Sequence, residues 1–551
     1  MTRSFKQLAS ASVLALAACG GGMGGGTPSP APAALPRTRA ERTDYKETSS
    51  YADVMAFVDS LRVLGAPISV SELAKSPLGK SVPLVVASRP RVSTPAEARA
   101  LGRPVVYLQA NIHAGEVEGK EAVLALLRDW SFGARPNVLD SLVVVVVPIY
   151  NTDGNDKLAA QARNRGAQNG PEMIGERPNG AGLDLNRDYV KAEAPETMGA
   201  LKAVAAWTPD LFMDLHTTNG SYHGYALTYS PSLHPAAPLA PFTADTLLPE
   251  IRRRMKAKHS FDVFPYGNFT GANGRESLTA DTKAGWVTYE HKQRYGTNYM
   301  GLRGGVSILS EAYSHDPFDR RVASTRAFVQ EILSYVAEDT RRITSRVASG
   351  RKATQLSQRG AGPLVPLQSR FISRPDTQPV LVERLERLAD SAALTQPGVP
   401  RGLRRTGQFS AQRMPVVDRF EGVLNETLQG GYLVEGEWPR LRELLTAHGI
   451  PFEPAGTAAR PVREFVIDTV IASARPFQGH RETAVRGKWR TVTRTFPAGS
   501  IVIMPNRGND LLTMLLLDPE SDDGFLTWNV FDAALGAGKV APVVRLPWPA
   551  G

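Results

Sequence analysis

Four widely separated side chains carry the chemistry of this chain: His113, Glu116, His216 and Glu311. The first two stand in Asn111-Ile-His-Ala-Gly-Glu116, a His-x-x-Glu spacing. His216 closes Leu211-Phe-Met-Asp-Leu-His216, and Glu311 closes Val306-Ser-Ile-Leu-Ser-Glu311. Two imidazoles and one carboxylate form a three-ligand zinc site that keeps a coordination position open for water. A further carboxylate nearby takes a proton from that water as it attacks a carbonyl. This is the inventory of a zinc hydrolase.

Each candidate follows an apolar run with strand character. Val105-Val-Tyr-Leu-Gln-Ala110 precedes His113, the run from Leu211 leads into His216, and the run from Val306 leads into Glu311. A fourth run, Leu142-Val-Val-Val-Val-Val-Pro-Ile149, is apolar throughout, as a central strand buried on both faces must be. It ends at the turn sequence Tyr150-Asn-Thr-Asp-Gly154. Helical patterns over 117–130 and 194–207 lie between these runs, so the fold class is α/β, a mixed sheet flanked by helices. Such sheets bind ligands beyond the carboxyl ends of their strands, where all the candidates fall. A lone histidine after a strand is ordinarily a hydrogen-bonded loop residue, and His223, His234, His259, His291 and His315 take that reading. His315, near Glu311 and bracketed by Tyr313 and Asp316, is the main competitor for the metal.

In order and spacing these residues resemble the carboxypeptidase A-type zinc metallopeptidase family. That pattern runs His-x-x-Glu, Asn-Arg, His and a distant Glu, and Leu183-Asp-Leu-Asn-Arg-Asp188 matches the Asp-x-Asn-Arg segment. The resemblance covers roughly residues 45–350. It implies that His113, Glu116 and His216 hold one Zn²⁺ per chain and that Glu311 is the general base and acid. It implies that Asn186 and Arg187 hold the terminal carboxylate of a peptide, a guanidinium being a bidentate fork for that group. Asp184 resembles the carboxylate that orients the first zinc histidine. For the arginine that faces the oxyanion, the spacing of compact bacterial members favours Arg177, with Arg163 and Arg165 in the same loop as rivals. For the family's mobile tyrosine, Tyr289 has the most suitable spacing, with Tyr295 and Tyr299 as rivals.

The N-terminus addresses location. Arg3 and Lys6 precede an apolar stretch over 8–18 that ends in Leu16-Ala-Ala-Cys19. A basic start, a short apolar run and small residues before the cut describe a signal peptide over 1–18. The ending resembles a bacterial lipobox, which would leave Cys19 as a lipidated first residue and a membrane anchor. Cys19 is the single cysteine, so no intramolecular disulfide forms. Gly20 is not the acidic residue associated with inner-membrane retention, which points to the outer membrane in a cell that has one. The Gly- and Pro-rich stretch that follows makes 19–44 a flexible tether.

The 551 residues exceed one ordinary domain, and 42% hydrophobic content supplies a core. A formal charge of +10 is spread without long like-charged runs, which gives no reason to expect nucleic acid binding. Beyond a boundary at 350–366, short strand-like runs at 379–383, 464–468, 500–503 and 511–517, with one helix at 438–449, make 351–551 a β-rich accessory domain. Its acidic turn, Glu520-Ser-Asp-Asp-Gly524, reads as solvated. The expectation is a lipid-anchored, exported, monomeric zinc carboxypeptidase acting on peptides. Two other readings stay open: a cell-wall amidase using the same catalytic frame on murein peptides, and, from a different class, a surface-binding lipoprotein without catalysis. Glu311 and the Asn186-Arg187 pair argue against the last, since binding alone needs neither.

Overall fold

The valine run lies where its composition requires, in the interior of a sheet covered on both sides. The computed structural model describes residues 34–355, 363–395, 399–427, 430–505 and 509–548. Eight strands form the main sheet: β1 (Ile68–Lys75), β2 (Ser81–Ala87), β3 (Val105–Ala110), β4 (Val143–Val147), β5 (Leu211–Thr217), β6 (Leu227–Pro231), β7 (Val263–Pro265) and β8 (Val306–Ala312). Their order is β1-β2-β4-β3-β5-β8-β6-β7. The central strands β4, β3, β5 and β8 are parallel; β2 on one side and β6 on the other pair antiparallel with them, and β1 pairs antiparallel with β2. The sheet is therefore mixed, as expected.

Helices α1 (Tyr51–Val63), α2 (Glu118–Phe132), α3 (Pro195–Trp207), α4 (Leu248–His259) and α5 (Phe318–Glu338) flank it. Alternation along β4 splits its valines between two cores. Val144 and Val146 pack with Phe57, Leu124, Leu127, Ile251, Phe328 and Ile332. Val143, Val145 and Val147 join Leu201 and Val204 of α3 in the other core. Burying each such side chain contributes about 1.5–3 kcal/mol.

That second core continues past position 350. Leu441, Leu444 and Leu445 from the helix Pro439–His448, and Leu511, Leu515 and Leu516 from Asp510–Leu517, belong to it. The strand-like runs at 379–383 and 464–468 fall in Gln378–Arg387 and Arg460–Ala472, and the run 500–503 contains the strand Ile501–Ile503. The helix before Gly449 ends there, with that glycine at φ 70°. The run 511–517 is not a strand but the helix Asp510–Leu517. Its leucines and Met514 favour helix, and only Thr513 is β-branched, so apolarity without strand propensity misleads there.

After β8 the chain continues through two helices, Phe318–Glu338 and Thr340–Thr354, broken at Asp339, whose side chain accepts from Arg342 N at 3.0 Å. Part of the stretch expected to be a tether, 19–44, has regular structure. Arg39–Arg42 is a helical turn with a capping box at Thr38, and Glu41 accepts from Arg128 at 2.6 Å. Cys19 and the signal-like segment lie outside the described residues. Among the described residues no helix is long and apolar enough to cross a membrane.

Candidate metal centre and substrate cleft

The turn after β3 sets the first two candidate ligands. Asn111 takes φ 63°, a left-handed conformation that Asn tolerates better than most residues, and its Nδ2 donates to Ala114 O at 3.2 Å. Glu116 N then donates to His113 O at 2.9 Å, closing the turn that turns both side chains the same way. Gly115 between them has no room to be anything else. A Cβ there would lie 2.9 Å from the Gly175 carbonyl oxygen and 3.1 Å from Arg165 Cδ.

Strand register sets His216 and Glu311. β5 and β8 are parallel neighbours in which Glu311 pairs with His216, so the two side chains leave the sheet together at its carboxyl edge. Asp214, two residues before His216 on the same face, has Oδ2 3.0 Å from His216 Nε2. Asp184 Oδ1 lies 3.1 Å from His113 Nε2. With each Nε2 facing a carboxylate, both Nδ1 atoms are left for a common target. His113 Nδ1 and His216 Nδ1 are 3.1 Å apart, and Glu116 places Oε1 3.1 Å from the first and Oε2 2.9 Å from the second. Donors around a tetrahedral zinc, with bonds of about 2.0–2.1 Å, stand about 3.3 Å apart. The donor set therefore fits that ion. Among the described residues, these three form the group of potential ligands lying within 4.8 Å of one another, and all are buried.

The electrostatics follow from burying so many charges together. Burial opposes ionisation of Glu116, yet His113 and Arg165 hold its carboxyl well below the usual range. Burial also works against a charged His216, but the carboxylates of Asp214 and Glu116 hold its basicity well above normal. Asp184 is likewise kept ionised, against its burial, by His113, Arg177 and Arg187. Glu311 behaves differently. Burial pushes its carboxyl up to about 8, with His216 pulling it down and Glu116 pushing it further up. A cation in the cleft would lower it again.

Around the metal ligands, the cleft is lined by Arg177, Asn186, Arg187, Tyr266, Tyr289, Tyr295, Thr297, Leu309 and Glu311. Asp184 connects its two sides, since its Oδ1 also accepts from Asn186 N at 3.0 Å and so caps the short turn Leu185–Arg187. Asn186 Oδ1 accepts from Gly296 N at 2.9 Å. Arg187 donates to Asn186 O at 2.8 Å, and its guanidinium lies 4.3 Å over the Tyr295 ring. Arg187 also acts on Asp184 through space, but among the described residues no carboxylate oxygen lies within 4.0 Å of its guanidinium.

The three candidate arginines separate cleanly. Arg177 lines the cleft, with Nε donating to Asp184 Oδ2 at 2.9 Å and Nη1 3.2 Å from His113 Nδ1. Arg165 lies beneath the ligands, donating to Glu116 Oε1 at 2.5 Å and to the carbonyls of Thr217 and Thr218 at 2.9 Å. Arg163 is exposed. Of the tyrosines, Tyr289 and Tyr295 both line the cleft with ring centroids 5.1 Å apart. Tyr299 is buried elsewhere, its hydroxyl 2.8 Å from His448 Nδ1. His315 is not near the ligand set and bonds the Gly220 carbonyl through Nε2 at 2.7 Å.

Sequence reasoning missed Asp214, although an acid two residues before a strand-borne histidine is a readable signal. It also missed Gln478, whose side-chain carbonyl accepts from Asp184 N at 2.7 Å across 294 positions. No local pattern points to that contact.

The chain is similar to several known proteins. Residues 67–260 match the zinc carboxypeptidase family. "Carboxypeptidase 2" of Trichophyton equinum is 22% identical over 458 residues, covering 80% of this chain and 76% of that protein. The protein of the same name from Trichophyton tonsurans is 21% identical over 444 residues, covering 78% and 74%. Among solved structures, a metallo-carboxypeptidase from Burkholderia cenocepacia is 19% identical with a TM-score of 0.39, over 53% of this chain and 70% of its own. Read with the His-Glu-His donor set, the family match means that the chain carries a zinc carboxypeptidase domain and is a metallocarboxypeptidase with zinc as its cofactor.

Proposed function

We propose that this enzyme removes residues from the free C-terminal ends of peptides, with Glu311 as general base and Asn186 and Arg187 as the carboxylate anchor. The observation that carries the reading is Arg187 itself, a guanidinium in the cleft with no carboxylate at ion-pair distance among the described residues. Such a fork is suited to a planar carboxylate, and Asn186 adds an amide donor beside it.

Zinc held by His113, Glu116 and His216 supplies Lewis acidity toward a carbonyl and lowers the pKa of water. The protein groups divide the remaining work. Glu311 removes a proton from the attacking water as its oxygen bonds to the carbonyl carbon. It then returns that proton to the nitrogen as the C–N bond breaks. Arg177 faces the charge that develops on the carbonyl oxygen. Asp184 and Asp214 orient the two imidazoles. Tyr289 closes the cleft over the substrate.

The leader-like N-terminus and Leu16-Ala-Ala-Cys19 support an exported enzyme anchored by lipid on Cys19. Mass spectrometry of purified, zinc-loaded protein incubated with free-acid peptides tests the central reading. The expected products are shortened one residue at a time from the C-terminus. Internal cleavage, or turnover confined to murein peptides, would replace this reading with an endopeptidase or a wall amidase.

A further inference from the structure

Tyr295, on which Arg187 rests, belongs to the segment 291–296, which has little regular structure of its own. The segment is instead tied to residues far along the chain. Arg294 is 4% exposed and Asp523 is fully buried. Arg294 donates to Asp523 twice, from its backbone N to Oδ2 and from Nε to Oδ1, both at 2.7 Å and across 229 positions. Its guanidinium lies 4.5 Å over the Trp528 ring, and Trp528 Nε1 donates to the same Oδ1 at 3.1 Å. Glu482 pairs with the outer edge of that guanidinium. On either side, His291 Nε2 lies 3.1 Å from Asp522 Oδ2 and Gln293 Nε2 donates to Leu515 O at 3.3 Å. Gly296, at the far end, is bonded to Asn186.

Fold stability gives a weak reason for such a pair, because apolar residues of similar volume would serve a core as well or better. A planar fork anchored by a backbone donor, an aromatic face and a buried carboxylate gives defined geometry instead. Geometry is what the neighbouring site needs, since recognition of a carboxylate by Arg187 tolerates an error of about 0.5 Å. Tyr295 sits between the fixed points at 294 and 296.

We propose that the Arg294–Asp523 pair is a positioning device, through which the C-terminal region places Tyr295 and thereby sets the grip of Arg187 on a peptide's terminal carboxylate. This rests on the reading of Arg187 given above. Neither residue is among those lining the metal centre, so substrate affinity is the quantity that should move.

Asp523→Asn in the full-length, zinc-loaded enzyme keeps the shape and removes the charge. With free-acid peptides, KM is expected to rise about tenfold while kcat and zinc content hold. The preference for free acid over the matched amide should shrink with it. Arg294→Lys, which keeps the charge but loses the planar fork, gives the same readout if Asp523→Asn does not fold. A folded variant with wild-type KM and an unchanged acid-to-amide ratio overturns the proposal, as does a loss confined to kcat. Wild-type enzyme without any acid-over-amide preference would show instead that the reading of Arg187 is wrong, which is a separate and earlier failure.

Discussion

His113, Glu116, His216 and Glu311 stand at or just beyond the ends of β3, β5 and β8, three strands that are hydrogen-bonded neighbours in one sheet. Tyr289, Tyr295 and Arg187, a few ångströms away, stand on loops and turns. The first group inherits its geometry from strand register. The second depends on contacts such as Arg294 with Asp523 and Asp184 with Gln478, made by residues hundreds of positions later. One cleft thus has a wall built by the sheet and a wall held by the C-terminal region. Chemistry should be sensitive to the first and recognition to the second.

Substitutions on the sheet side should have the largest effects. His216→Ala removes one of three ligands, and both zinc content, read by metal analysis, and activity are expected to vanish together. A variant that keeps stoichiometric zinc would show that the ligand set is wrong. Glu311→Gln separates metal from base: zinc should stay while kcat falls by roughly 10²–10⁴ or more. Near-normal turnover would move the base elsewhere. Glu290, the other acid near the tyrosines, is exposed and outside the cleft lining.

On the recognition side, Arg187→Ala should cost roughly a hundredfold in kcat/KM on free-acid peptides and leave zinc in place. A smaller effect belongs to Asp214→Asn. It removes the carboxylate 3.0 Å from His216 Nε2, and zinc affinity measured against a chelator should weaken by about 10–100-fold.

The mildest effect is on stability and needs no substrate. In zinc-free protein the native Glu311 carboxyl holds its proton to about 8, against an ordinary value of 4.5. The native chain therefore binds an extra proton between those values, and stability should fall as pH rises from 4.5 to 8. Thermal melts of the Glu311→Gln variant should show a flatter pH dependence over that window. Parallel curves would mean that Glu311 is not the group being desolvated.

The two walls also differ in how far they could be read from sequence. The strand-borne residues are legible because each follows an apolar run, and a parallel sheet places the ends of such runs together. Asp184 and Asn186-Arg187 are legible from their short spacing. The acidic turn after Leu517 misleads, because acids beside Gly and Ser look solvated. Instead Asp523 is buried against Arg294, and Asp518, just before the turn, is buried against Arg545 with Oδ2 2.8 Å from Nε. Local composition cannot show which acids a distant arginine will claim. The same limit leaves Tyr289 and Tyr295 unresolved by spacing, since both line the cleft and only Tyr295 lies under Arg187.

The division of labour can be tested most directly with one pair of peptides, identical except that the C-terminus is a free acid in one and an amide in the other. An amide leaves Arg187 desolvated without its partner, and kcat/KM is expected to be roughly a hundredfold or more lower for it. Arg187→Ala should erase most of that difference with zinc still bound. Equal kcat/KM for the two peptides in the wild-type enzyme would contradict the assignment of Asn186 and Arg187 as a carboxylate anchor.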